Sequence, residues 1–184
     1  MRKRIMILFA GVVTCLFFMD VAVYGTHVEA KMLTFQPTDE AFKNIYGGGL
    51  SYGGEVDISV YKGLAVWFGA EYFTKTGETT FTREETTIRI FPIYGGVKYI
   101  FSGERMMPYL GAAVGYFQFK ETSAIGEVKE GKIGFRAQGG LLLRLTGYWF
   151  VDFQVGYDMC KIKPEELEVE IGGLKAGLAL AFSF

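Results

Sequence analysis

The chain has 184 residues, with Lys plus Arg at 19 against Asp plus Glu at 20 and a formal net charge of −1. That is enough chain for one domain with a sizeable core, and the balanced charge offers none of the basic surface that nucleic acid requires, so a nucleic-acid partner is excluded. Half of the residues are apolar, yet no internal run is long and apolar enough to cross a bilayer as a helix. Gly is abundant at 25, beside 17 Phe and 11 Tyr but only 4 Pro, a composition that suits a β-rich chain.

Arg2, Lys3 and Arg4 open the chain and precede an apolar stretch over 5–19. Val23-Tyr24-Gly25 then places compatible residues at −3 and −1. The pattern predicts a cleaved secretory signal peptide over 1–25, with Ala30 as a second cleavage point. Asp20 cuts the apolar run too short for a comfortable membrane anchor. A lipid attachment at Cys15 would want a small residue before it, and Thr14 is a poor one. Loss of the leader removes Cys15 and leaves Cys160 alone, so no intrachain disulfide is expected.

From residue 27 onward the chain reads with period two. The predicted strands are 27–36, 44–60, 64–75, 86–101, 107–120, 131–145, 148–160 and 169–184. Short turns at 61–63, 102–105 and 146–147 alternate with longer polar segments at 37–43, 76–85, 121–130 and 161–168. In the sixth strand, Phe135, Ala137, Gly139, Leu141, Leu143 and Leu145 share one face, while Gly134, Arg136, Gln138, Gly140 and Arg144 share the other. The next strand sets Trp149, Val151, Phe153, Val155, Tyr157 and Met159 against Phe150, Asp152, Gln154, Gly156 and Asp158. In a soluble sandwich the polar face would carry long solvated side chains. Here it is small residues with single charges, which fits a confined interior. Eight antiparallel strands closed into a transmembrane β-barrel account for the even count, the two loop lengths and the apolar outer face. Closure also removes the aggregation hazard of an apolar last strand, which carries no charge after Lys175.

The inward positions collect Glu55, Asp57, Glu71, Lys98, Arg136, Asp152, Asp158 and Lys175, and Glu29 and Lys31 fall near enough to join them. Charges in a narrow lumen must pair or keep water. An ion-paired plug is the first expectation, because an eight-stranded interior is just wide enough for side chains to fill. A narrow polar pore or gate is the alternative. Acyl-transfer chemistry would need a histidine beside a nucleophile. The single histidine, His27, lies just past the leader, and Ser51, Ser59 and Ser183 carry no companion signal. Asp39-Glu40 and Glu165, Glu166 and Glu168 lack the spacing of a metal loop, so no metal is expected. The Gly47–Gly49 and Gly53-Gly54 runs lack a P-loop lysine. Cys160 reads as a buried or rim thiol. Tyr61, Trp67, Tyr99, Phe101, Tyr109, Tyr148 and Trp149 fall near strand ends and are expected to form an interfacial girdle.

The stretches FQPTDEAFKNIYGGGLSYGGEVD (35–57), PIYGGVKYIF (92–101) and PYLGAAVGYF (108–117), with the terminal Phe184, resemble the bacterial outer-membrane β-barrel domain proteins of the small eight-stranded class. The resemblance covers 27–184. It implies a multi-pass location in a bacterial outer membrane, contact with its lipids and lipopolysaccharide, and a terminal signal for the outer-membrane assembly machinery at Leu180, Phe182 and Phe184. The expected role is non-catalytic, structural or surface contact through long extracellular loops, by a monomer without cofactor. A narrow channel for small solutes or ions is the alternative, and a lipid A-modifying enzyme a second one.

Overall fold

Along β7 (Trp149–Met159) burial switches at almost every residue: Phe150, Asp152, Gln154, Gly156 and Asp158 are buried, whereas Trp149, Phe153, Val155 and Met159 are exposed. A strand with period two must divide two environments, and here the buried side is the polar one. The computed structural model describes residues 25–78, 85–123, 126–162 and 169–184. The same parity runs through β1 (Thr26–Pro37), β2 (Gly49–Tyr61), β3 (Leu64–Glu78), β4 (Glu85–Ile100), β5 (Met106–Ser123), β6 (Gly126–Arg144) and the final β10 (Gly173–Ser183).

These eight strands close into one antiparallel barrel in the order β1-β10-β7-β6-β5-β4-β3-β2. The seam joins β1 to β10 from His27 opposite Ser183 to Pro37 opposite Gly173. Thr26 and Phe184 complete it with a reciprocal pair of backbone hydrogen bonds of 3.1 and 3.0 Å. No strand edge is left open, which is the condition for crossing lipid with strands. No helix among the described residues is long and apolar enough to cross a membrane. The crossing surface is the outer wall, where Met32, Phe68, Ile93, Val97, Leu110, Ile133 and Leu178 are exposed.

Three segments depart from the sequence reading. The segment after β1 is not a plain loop, and β2 does not begin at 44. Instead α1 (Glu40–Tyr46) forms, with the Asp39 side chain accepting a 2.9 Å hydrogen bond from the Phe42 amide. Gly47 ends it at φ +64°, a left-handed backbone that favours glycine. The polar segment at 121–130 is mostly strand, because β5 and β6 stay paired up to Ser123 opposite Gly126. Beyond the lipid both faces of a hairpin meet water, so the alternation that marks a membrane strand disappears while the ladder continues. In the last long connection β8 (Lys161–Ile162) pairs with β9 (Val169–Glu170). Residues 1–24 of the expected leader over 1–25, with Cys15 among them, and Glu165, Glu166 and Glu168 lie outside the described residues.

Candidate functional site: the barrel lumen

The lumen is layered. All eight charged residues singled out in the sequence, with Glu29 and Lys31, are buried among inward positions. Eight of the ten form two linked groups, and Glu29 and Asp152 stand outside these ion pairs. Lys31 donates to Glu55 at 2.7 Å and lies 3.3 Å from Glu71. Lys98 donates to Glu55 and, at 2.8 Å, to Asp57. Gln138 adds a 3.2 Å hydrogen bond to Glu55. In the second group Arg136 forks between Glu71 and Asp158. Its Nη2 donates to Glu71 at 2.8 Å, its Nε donates to Asp158 at 2.6 Å, and Nη1 also reaches Glu71. Lys175 donates to Glu71 at 2.5 Å and lies 2.9 Å from Asp158.

Aromatic rings fill the space between the charges. The Arg136 guanidinium lies 3.9 Å from the Tyr94 ring centre, and the Lys98 ammonium 4.5 Å from that of Tyr109. Tyr94 donates to Asp158 at 2.9 Å and Tyr109 to Asp152 at 2.7 Å. Small inward residues make room for these rings. A Cβ at Gly115 would come within 2.6 Å of the Tyr94 ring, and one at Gly140 within 2.6 Å of the Tyr109 hydroxyl.

Below the charges an apolar floor of Tyr109, Leu142, Phe150 and Ala181 closes the short-turn end. Above them a larger apolar ceiling contains Phe35, Phe73, Ile88, Ile90, Phe117 and Phe119. Phe35 packs edge-on against Phe73 at 4.9 Å between ring centres. The helix α1 covers this ceiling with Phe42 and Tyr46. Tyr46 is pinned across the mouth, donating to Glu121 at 2.6 Å and sharing a 3.0 Å hydrogen bond with Thr86. Burial and the Glu121 carboxylate push the Tyr46 hydroxyl pKa well above its ordinary value. At the same end burial, with Asp158 and Glu170 nearby, pushes the buried Cys160 thiol up to about 11, which makes it a poor nucleophile.

The ceiling was missed by a reading that took the inner face to be small or polar. Two expected girdle residues are also placed otherwise: Trp67 and Tyr109 face the lumen and are buried. Strand parity requires this, since Trp67 lies four residues from the inward Glu71, and Tyr109 two residues from the inward Gly111. The remaining five expected girdle residues are exposed at the short-turn end, with Tyr99 stacked edge-on against Phe101 at 5.0 Å and Trp149 against Phe182 at 5.0 Å. Leu180, Phe182 and Phe184 line the outer face beside them.

Six inward carboxylates, on Glu29, Glu55, Asp57, Glu71, Asp152 and Asp158, face four cations, on Lys31, Lys98, Arg136 and Lys175, among the described residues. Both oxygens of Glu29 and one each of Asp57 and Asp152 make no hydrogen bond to protein. Single oxygens of Glu29, Glu55 and Asp57 lie within 4.8 Å of one another, the donor type a hard cation takes. The Lys98 ammonium already bonds two of these three groups, and a metal ion there would meet its charge. The enzyme constellation does not assemble. His27 packs on Phe150 at 5.4 Å with its Nδ1 unpartnered, and no serine–histidine hydrogen bond exists among the described residues. Ser51 is buried on β2, six residues from the inward Asp57 and toward the long-loop end.

A closed eight-stranded barrel with an apolar outer wall, a charged lumen and aromatics at its short-turn rim has the fold of the transmembrane barrels of bacterial outer membranes. Solved structures of that class share the fold. OprG, an outer membrane protein of Pseudomonas aeruginosa, superposes with a TM-score of 0.72 at 14% identity over 87% of this chain and 95% of that one. Neisserial surface protein A gives 0.65 at 15% identity, covering 86% and 97%. Ail, the attachment invasion locus protein of Yersinia pestis, in complex with the heparin analogue sucrose octasulfate, gives 0.58 at 12% identity, covering 86% and 98%. No family model matches the sequence, and no curated protein matches it.

Proposed function

We propose that the protein is a non-catalytic barrel of the outer membrane whose lumen is a structural plug and whose contacts with the outside run through its long-loop end. The observation that carries this reading is the filling of the lumen, with an apolar floor, an ion-paired middle, an aromatic ceiling and α1 over the mouth. In this reading residues 1–25 are a leader removed on export, and the barrel works as a monomer. The eight charged positions of the sequence reading, Glu55, Asp57, Glu71, Lys98, Arg136, Asp152, Asp158 and Lys175, serve cohesion, not transport. The β5–β6 hairpin, which stays paired to Ser123 and Gly126, is the natural contact element. A contact role is in keeping with the attachment and invasion named for Ail.

Single-channel recording in a planar bilayer tests the plug against the pore. The expected record is free of steady unitary steps at either polarity. Steps of reproducible size that change when Lys98→Gln alters the lumen charge would make the protein a narrow channel.

A further inference from the structure

On the outer wall the register sets three cations side by side. Arg89 on β4 stands opposite Lys120 on β5, and Lys120 stands opposite Lys129 on β6. Like charges directly opposite on neighbouring strands repel, and such a row is destabilising unless something anionic joins it. Glu127 joins part of it, lying 2.6 Å from both Lys120 and Lys129. Arg89 has no acidic partner among the described residues.

The row has a fixed height. Arg89 stands ten residues above the rim residue Tyr99 on β4. Ten residues at about 3.3 Å each, tilted by about 40°, climb about 25 Å along the membrane normal, the height of the apolar band of an outer-membrane barrel. The cations therefore sit where the far leaflet's headgroups begin. Directly beneath, Tyr72, Phe91 and Tyr116 lie exposed on the wall. Gly131 opens a notch there, since a Cβ at that position would collide with the Tyr116 hydroxyl. Cations and aromatics together border a groove of about 610 Å³, with Glu130 also on its edge.

We propose that this groove on β3–β6 seats a phosphorylated, multiply acylated glycolipid of the outer leaflet, with its phosphates on Arg89, Lys120 and Lys129 and an acyl chain along Phe91 and Tyr116. Charge complementarity chooses the headgroup, because guanidinium and ammonium groups at the lipid–water boundary favour phosphate. The apolar wall below chooses a lipid over free phosphate. The proposal rests on the outer-membrane reading but not on the closed lumen.

Native mass spectrometry of the full barrel in detergent micelles tests it, with bis-phosphorylated lipid A as the probe. The wild type is expected to retain one lipid A molecule. In the triple variant Arg89→Gln/Lys120→Gln/Lys129→Gln the apparent affinity should fall at least tenfold, and dephosphorylated lipid A should bind the wild type as weakly. Millimolar inorganic phosphate should not displace the lipid. A matched variant at the opposite rim, Lys62→Gln/Arg105→Gln/Arg144→Gln, should bind as the wild type does. Heat-modifiable migration in a detergent gel confirms that each variant is folded. Equal binding by the triple variant, equal binding of dephosphorylated lipid A, displacement by phosphate, or an equal loss in the rim variant would each overturn the site. None of these results would remove the barrel from the outer membrane, which membrane fractionation reads separately.

Discussion

Arg136→Met is expected to lower the unfolding free energy of the barrel by about 3–5 kcal/mol, the cost of breaking a buried ion pair from one side. The guanidinium is the centre of the upper charge group. It satisfies oxygens of Glu71 and Asp158 together and lies against the Tyr94 ring. Methionine fills much of the volume but supplies no donor. Lys175 and Lys31 then remain to compensate two carboxylates in a lumen that already has more acids than bases. Removing one of the stranded charges should therefore help, and Arg136→Met/Glu71→Gln should recover part of the loss. Urea unfolding from lipid vesicles, followed by tryptophan fluorescence, measures both variants. A loss below about 1 kcal/mol for the single variant would place these groups in the class of hydrated ion pairs and make the lumen wet.

Deleting Phe184, or replacing it with Asp, is expected to cut the yield of inserted barrel several-fold while export proceeds. Two effects combine in the deletion. The Phe184 backbone closes the seam with Thr26, and its ring lies on the outer wall in line with Phe182, 6.3 Å between centres. Phe184→Asp separates them, because it keeps the backbone and changes only the side chain. A charge this near the interface costs the folded barrel only about 0–1 kcal/mol. Spontaneous refolding of Phe184→Asp into vesicles should therefore be close to wild type, while its insertion in cells falls. That pairing of results points to a terminal signal read by the assembly machinery at Leu180, Phe182 and Phe184. Undiminished insertion in cells for both variants would leave the last residues as strand only.

The barrel was legible because its strands obey one rule for most of their length. Period two, alternating loop lengths and a closing apolar strand suffice to count eight strands and to name the inward charges. Trp67 was equally legible, since it shares strand parity with Glu71, already assigned inward, and it was misplaced because aromatics at strand ends were read by type instead of by parity. Tyr109 lies on a strand that carried no inward charge to fix its parity. The helix α1 also leaves a local signature, with Asp39 as cap, Phe42 and Tyr46 one turn apart and Gly47 at the end. What was not legible is the apolar ceiling. Ile88 and Ile90 share strand parity with the inward Lys98, but only the closure of the barrel and the cover given by α1 turn them, with Phe117 and Phe119, into core. Tyr46 meets Thr86 and Glu121 from 40 and 75 residues away, and no local pattern predicts such contacts. The cation row was equally hidden, because Arg89, Lys120 and Lys129 become neighbours only through the register of three strands.

The central claim is that polar faces turn inward and apolar faces turn to lipid. A spin-label scan along β7 tests it most directly, with single cysteines placed from 149 to 159 in a Cys160→Ser background and the barrel reconstituted in lipid vesicles. Collision with oxygen, which concentrates in the bilayer, should peak at 151, 153 and 155 and fall at 152, 154 and 156. Collision with a water-soluble nickel reagent should stay low through that stretch. Nickel maxima at 151, 153 and 155, or the absence of any period of two, would contradict a lipid-facing wall and with it the transmembrane barrel.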